Sequence, residues 1–212
     1  MGINSSGSRT VSAAWLRWAA ALISVTAIVG ISLIAAGAFD PKPLGSHRWS
    51  KSLSELSVEP HGRQLLWLDQ TVPDQSFTLR LSAAHGSGER DSSYGLLIGD
   101  DQAFLAIALS PLGYVSVWQH RASQTAAGAD ESELIIMPWQ LWPHVRLGAE
   151  ENEIWLDLSQ KEAGKMQAGI RINREILWQG EVWMVPSQVG IIGESFGEGA
   201  MFSFRSLQLF SE

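Results

Sequence analysis

Polar and apolar positions divide the chain into two unlike parts. Residues 19–39, AAALISVTAIVGISLIAAGAF, contain no ionisable side chain. At about 1.5 Å per residue, a helix of roughly 20 such residues crosses a hydrocarbon core about 30 Å thick. Beyond Asp40 apolar residues recur mostly at a spacing of two, interrupted by Gly, Pro, Asp or Asn at intervals of about eight to twelve residues. That rhythm predicts strands over 64–68, 76–83, 94–98, 104–109, 114–120, 134–137, 145–147, 153–158, 169–172, 176–185, 189–192 and 202–210. A polar stretch ending in Leu56 and Val58 is a further first strand.

The turns fit the pattern. Ser110-Pro111-Leu112-Gly113 and Asn173-Arg174 each separate two strands with residues suited to tight reversal. Segments 84–93 and 121–133 read as long polar loops at a binding rim, and 160–165 as a possible helical turn. About a dozen short strands in one unit point to an all-β fold of two antiparallel sheets packed face to face, a jelly-roll sandwich behind one N-terminal transmembrane helix. The expected organisation is a cytoplasmic tail over 1–17, a span over 18–39, a linker over 40–48 and an extracytoplasmic sandwich over 49–212.

Charge gives the span a direction. Arg9 and Arg17 are the charged residues before Asp40, and basic residues beside a span are retained on the cytoplasmic face. Trp15 and Trp18 flank Arg17 where an aromatic belt belongs. The expected localisation is the cell membrane, single-pass, with membrane lipid around 18–39. The competing reading is a cleaved secretory signal, for which Ala36-Gly37-Ala38 supplies small residues; either outcome delivers the domain to the same side. The absence of cysteine excludes a lipoprotein. Met1, Gly2 and Ser6 also match the short N-myristoylation pattern, which a full span makes redundant.

The part beyond the span holds 13 basic and 22 acidic residues, a net charge of −9. Such a surface repels phosphate backbones, so nucleic acid is not an expected partner. Without cysteine there is no disulfide, thiolate nucleophile or thiolate metal site. Ten tryptophans against two tyrosines make indoles either the main packing material or a binding surface.

Several blocks carry a family resemblance. Tyr94-Gly95-Leu96-Leu97-Ile98, Phe104-Leu105-Ala106-Ile107 and Gly113-Tyr114-Val115-Ser116-Val117-Trp118 come first. Trp142, Asn152-Glu153-Ile154-Trp155-Leu156, Ile172-Asn173-Arg174-Glu175 and Val189-Gly190-Ile191-Ile192 follow. In order and spacing they resemble the concanavalin A-like jelly rolls, specifically the laminin G-like and 3-keto-disaccharide hydrolase-like domains of bacterial envelope proteins. The resemblance covers about 49–210. It implies a shape, with sugar binding and glycoside processing both among its functions.

Candidate chemistry is sparse. Glycoside hydrolysis needs two carboxyls facing one another. The E-x-D-x-x-E arrangement that family 16 jelly-roll glycosidases place on one strand is absent, and the nearest approximation is Glu153 and Asp157, one strand face with Trp155 between them. Alternation puts such residues on a solvated face equally well. Glu194 and Glu198 flank Gly197 in an apparent loop. His47, His61, His85, His120 and His144 lack metal-ligand spacing. Asp100 and Asp101 are the candidate oxygens for calcium, as laminin G-like domains imply, or simply a charged hairpin tip. Trp139 and Trp142, in the proline-broken segment MPWQLWP, are the candidate ligand-binding residues, since sugars stack on exposed indoles; both plugging one end of the sandwich is the alternative. Trp178 and Trp183 fall on opposite strand faces, so one should point outward.

These observations fit a membrane-anchored, non-catalytic module that binds carbohydrate or serves as a subunit of a membrane protein complex. A glycoside-processing enzyme and a structural spacer are the alternatives.

Overall fold

The computed structural model describes residues 13–73, 75–122, 132–162 and 165–212. Residues up to Pro41 and from Lys42 onward form two separate compact units. The first is helix α1 (Ala13–Ala35), long and apolar enough to cross a membrane by length and composition. It ends at Gly37, in the left-handed region at φ 70°. The amides of Gly37 and Ala38 reach back to the carbonyls of Ile34 and Leu33 at 2.9 and 3.0 Å. Glycine tolerates this conformation, and the paired bonds satisfy carbonyls that the helix end would otherwise orphan.

The second unit is all-β: β1 (Ser46–Ser52), β2 (Glu55–Val58), β3 (Arg63–Thr71), β4 (Phe77–Gly88), β5 (Ser92–Gly99), β6 (Ala103–Leu109), β7 (Tyr114–Arg121), β8 (Ser132–Leu141), β9 (Asn152–Glu162), β10 (Lys165–Ile172), β11 (Glu175–Trp183), β12 (Gln188–Ser195) and β13 (Ala200–Ser211). Two antiparallel sheets result. The seven-stranded sheet runs β1-β13-β4-β9-β10-β11, with β2 also paired to β13, and the six-stranded sheet runs β3-β12-β5-β6-β7-β8. Alternation sends Leu79, Leu81, Ile154, Leu156, Phe202 and Phe204 inward from one sheet. Tyr94, Leu96, Ile98, Leu105, Ile107 and Val117 meet them from the other. Sheet-on-sheet packing of these faces is the jelly-roll sandwich that the alternating pattern predicted.

The expected turns form. Gly113 donates to the Ser110 carbonyl at 2.9 Å between β6 and β7. Asn173 and Arg174, at φ 51° and 76°, link β10 to β11, the paired left-handed residues that a two-residue hairpin needs.

Three local expectations fail. Segment 84–93 is not a long loop: β4 continues to Gly88 against β13 and β5 resumes at Ser92. Ala84 and His85 are buried there although the stretch reads as polar. Residues 145–147 form no strand but a turn in which the Val145 amide donates to Trp142 at 3.0 Å, a run of three being too short to add to either sheet beside Pro143. Of segment 160–165, which suggests a helical turn, residues 160–162 end β9 and Lys165 opens β10, the alternation being too polar to reveal a half-exposed ladder, and residues 163–164 lie outside the described residues. Most of the predicted rim loop 121–133 lies outside the described residues.

Candidate functional site

The two sheets differ in what they present away from the core. Directly opposed residues of antiparallel strands share a face, so the register assigns the outer face of the six-stranded sheet. Leu97 stands opposite Gly190 and Ala106, Gly95 opposite Ile192 and Ala108, Ala106 opposite Trp118, and Phe104 opposite His120. The middle of this face is paved with small residues. Large rings from its surroundings lie over them: Trp118 and Phe104 bury Leu97, Ala106, Ala108 and Ile192 in a second apolar cluster, with Trp67 packed against it. Phe104 stacks on His120 with centroids 4.8 Å apart and meets Trp67 edge-on at 5.9 Å.

Arg63 of β3 crosses this aromatic layer. Its guanidinium sits 5.6 Å from the Trp118 ring centroid. It binds Glu133 of β8 at 2.7 Å and Glu194 of β12 at 3.0 Å. Glu194 therefore lies on a strand and not in the loop its neighbouring glycine suggested, whereas Glu198 is exposed in the turn beyond. Beside this cluster a cavity of about 160 Å³ is lined by Arg63, Ser116, Trp118, Glu133, Ile135, Pro138, Trp139 and Glu194. A second cavity, of about 600 Å³, is lined by Asp91, Ser110, Leu112, Tyr114, Trp139 and Phe196.

Trp139 belongs to both cavities. It is 40% exposed and meets Phe196 edge-to-face, centroids 6.4 Å apart at 88°. Its strand, β8, is the sheet edge, which is where Pro138 can be accommodated without losing a ladder bond. Two polar groups are buried without a hydrogen-bond partner among the described residues on the same strands: the Trp118 indole N–H and the Ser93 hydroxyl. Ser93 lies opposite Glu194 in the register. A buried unpaired donor costs about 1–3 kcal/mol, and the Trp142 indole N–H, packed against the main core, is in the same state.

Trp142, close in sequence, does something else. It packs against the main core with its ring 5.6 Å from His144. Trp139 and Trp142 therefore do not form one platform: the first faces outward, the second packs inward. Trp183 is 54% exposed while Trp178 is half-buried against the core, as their opposite strand faces required. Lys165 lies over the Trp183 ring at 5.4 Å.

Glu153 and Asp157 stand on the outer face of the other sheet, within a polar ladder. Arg80 binds Glu153 at 2.8 Å and lies 5.2 Å from the Trp155 centroid. The Trp155 indole N–H donates to Glu153 as well. Asp157 accepts a 2.6 Å hydrogen bond from Thr78 and faces Arg171 at 3.7 Å. Burial pushes the Asp157 carboxyl above its ordinary range, against the opposing pull of Thr78 and Arg171. Both acids are thus committed to partners within their own sheet.

Asp100 and Asp101 occupy the β5–β6 hairpin tip. One Asp100 carboxylate oxygen accepts from the amides of Gln102 and Ala103, both at 2.9 Å. This local turn satisfies that oxygen. Among the described residues no group of three or more His, Asp or Glu is arranged to hold a metal ion.

No family model and no curated protein sequence matches the chain. Solved structures share its architecture at low identity. The Crh5 transglycosylase in complex with NAG is 6% identical over 81% of this chain and 88% of its own, with a TM-score of 0.50. The Emp46p carbohydrate recognition domain in its metal-free form is 10% identical over 76% of this chain and 86% of its own, with a TM-score of 0.49. The carbohydrate-binding module CBM66 from Bacillus subtilis is 10% identical over 76% and 95%, with a TM-score of 0.48. At such identities the likeness lies in the fold.

The sequence signalled Trp139 through the prolines around it. It gave no signal for Arg63, Glu133, Phe196 or Asp91, which come from separate strands and turns and meet only through sheet order.

Proposed function

We propose that the protein is a membrane-anchored binding module that takes carbohydrate on the outer face of its six-stranded sheet. The observation that carries this reading is Trp139, an indole left half-exposed on an edge strand and shared by two adjoining cavities. An indole face stacks on the C–H face of a pyranose, and flanking carboxylates accept its hydroxyls.

In this reading α1 anchors the chain through the span 18–39, the tail stays in the cytoplasm, and the sandwich faces outward. A kinship with the laminin G-like and 3-keto-disaccharide hydrolase-like domains of bacterial envelope proteins, and a role as accessory subunit of a membrane complex, belong to the same proposal. Labelling of Lys161 from the outside of intact cells tests the orientation; labelling only after lysis refutes it.

Binding is tested with oligosaccharides titrated into the full chain in detergent micelles. NAG oligomers are the first probes, because the Crh5 transglycosylase that shares the fold was solved with NAG. Saturable binding that Trp139→Ala weakens by tenfold or more supports the proposal. Binding unchanged by that substitution overturns it.

A further inference from the structure

We infer that the 600 Å³ cavity beside Trp139 is a subsite for a protonated amine, so that the preferred ligand is an amino sugar with a free ammonium group. The inference rests on the glycan-binding reading above and deepens it.

Three of the residues lining the cavity are aromatic. Trp139 and Phe196 meet at 88° with centroids 6.4 Å apart, so a group in the corner they make faces both rings. Tyr114, from the start of β7, supplies the third ring, and Leu112, at the β6–β7 turn, adds apolar surface. A ring face carries the negative part of its quadrupole, and a cation held among several such rings is attracted to each of them. A neutral acetamido group gains no such term.

Asp91 is the one ionisable residue lining the cavity apart from the Tyr114 phenol. It is exposed, and its carboxylate enters no ion pair or hydrogen bond among the described residues. The backbone holds it in place, for its carbonyl accepts from the amide of Phe196 at 2.9 Å while its own amide donates to Glu89 at 3.0 Å. A direct backbone bond therefore holds the Asp91 and Phe196 main chains side by side, which places the carboxylate and the ring on the same cavity.

The neighbouring cavity adds charge of the same sign. Glu133 and Glu194 share one guanidinium, Arg63, which leaves that cluster with one excess negative charge. With Asp91, the described lining of the two cavities carries two more carboxylates than cations. This field attracts ammonium ligands and repels uronates, sulfated sugars and phosphates. The volume admits a sugar residue rather than a bare ion, being within the usual range for small-molecule sites.

The test compares two ligands that differ only at nitrogen. Glucosamine tetramer and N-acetylglucosamine tetramer are titrated by calorimetry into the full chain in detergent micelles, at low salt and near pH 6, where the amine is charged. The expected result is binding of the amine oligomer at least tenfold tighter. Asp91→Asn should lower that ratio at least threefold, the rings and the neighbouring carboxylates keeping the remainder, and Trp139→Ala should weaken both ligands. Circular dichroism of each variant confirms the fold. Equal or tighter binding of the acetylated oligomer, or a ratio unchanged by Asp91→Asn, overturns the amine subsite and leaves the glycan reading standing. Binding of neither oligomer by the wild-type chain overturns both.

Discussion

The outer faces of the two sheets are built on opposite principles. On the seven-stranded sheet, charged side chains answer one another: Arg80 with Glu153, Arg171 with Asp157, and Lys161 and Lys165 with Glu181. A cavity of about 380 Å³ does open at one end of that sheet, lined by Arg146, Glu151, Asn152, Glu153, Asn173 and Arg174. Its polar atoms are largely spent on one another, as when Asn152 receives the Arg146 amide at 2.8 Å and donates to Tyr94 at 2.9 Å. On the six-stranded sheet, small residues lie beneath rings, the ion-paired cluster is unbalanced, and Trp139 is left open. These charges are matched within their own sheet, so the first face leaves little electrostatic demand for a ligand. The second gives up burial and hydrogen bonds that a purely structural face would keep.

Space is where the comparison breaks most sharply. A Cβ on Gly95 would run into the backbone carbonyl of Ile107, whereas on Gly169, in the seven-stranded sheet, it would make ordinary contacts with the Asp157 side chain at 3.7 Å and the Gln179 side chain at 3.9 Å. Gly95→Ala should therefore cost more than about 4 kcal/mol and abolish soluble expression, while Gly169→Ala should shift stability by less than about 1 kcal/mol in denaturant melts. Equal tolerance would mean the paved face is not close-packed.

Next in size is Trp139→Ala. It should cost binding tenfold or more, about 1.4 kcal/mol, with little change in melting temperature. Glu153→Gln should do the reverse: it weakens the Arg80 pair and costs about 1 kcal/mol of stability, with glycan affinity intact.

Tyr94 sharpens the contrast from inside. Burial pushes its phenol up to about 12, with Asn152 opposing the shift by hydrogen bonding. The folded state therefore favours the protonated phenol more than the unfolded state does. That contribution is complete below the ordinary tyrosine range and is lost as pH rises from about 10 to about 12. Tyr94→Phe should remove this alkaline decline from urea melts recorded across that range.

The smallest expected effect is at Asp157. Its carboxyl is raised in the folded state, so folding favours its protonated form. Stability of the wild type relative to Asp157→Asn should rise as pH falls through and just above the ordinary carboxylate range, and reach its minimum at neutral pH. Paired chemical denaturation at pH 7 and pH 4 measures that sign.

Much of the fold was legible because a sheet with one buried face imposes a period of two. Leu79 and Leu81, or Leu105, Ile107 and Leu109, display it plainly. Legibility failed where burial was carried by small or polar residues. Ala84 and His85 hide the far end of β4, and β5 is buried on both faces because rings cover its outer side. The site was legible only in Trp139, whose prolines mark an edge. Glu194 reads as a loop residue because glycines surround it, while its partner, Arg63, is fixed by the β3–β12 register. Trp118, which closes one of the blocks that carry the resemblance, is buried on the outer side of its sheet. Contacts between strands distant in sequence leave no local trace.

The most direct measurement is calorimetric titration of NAG and glucosamine oligomers into three proteins: the wild-type chain, Trp139→Ala and Glu153→Gln. Saturable binding that falls at least tenfold in Trp139→Ala and holds in Glu153→Gln is the predicted result. Binding lost in Glu153→Gln and kept in Trp139→Ala would put the ligand on the seven-stranded sheet and contradict the account.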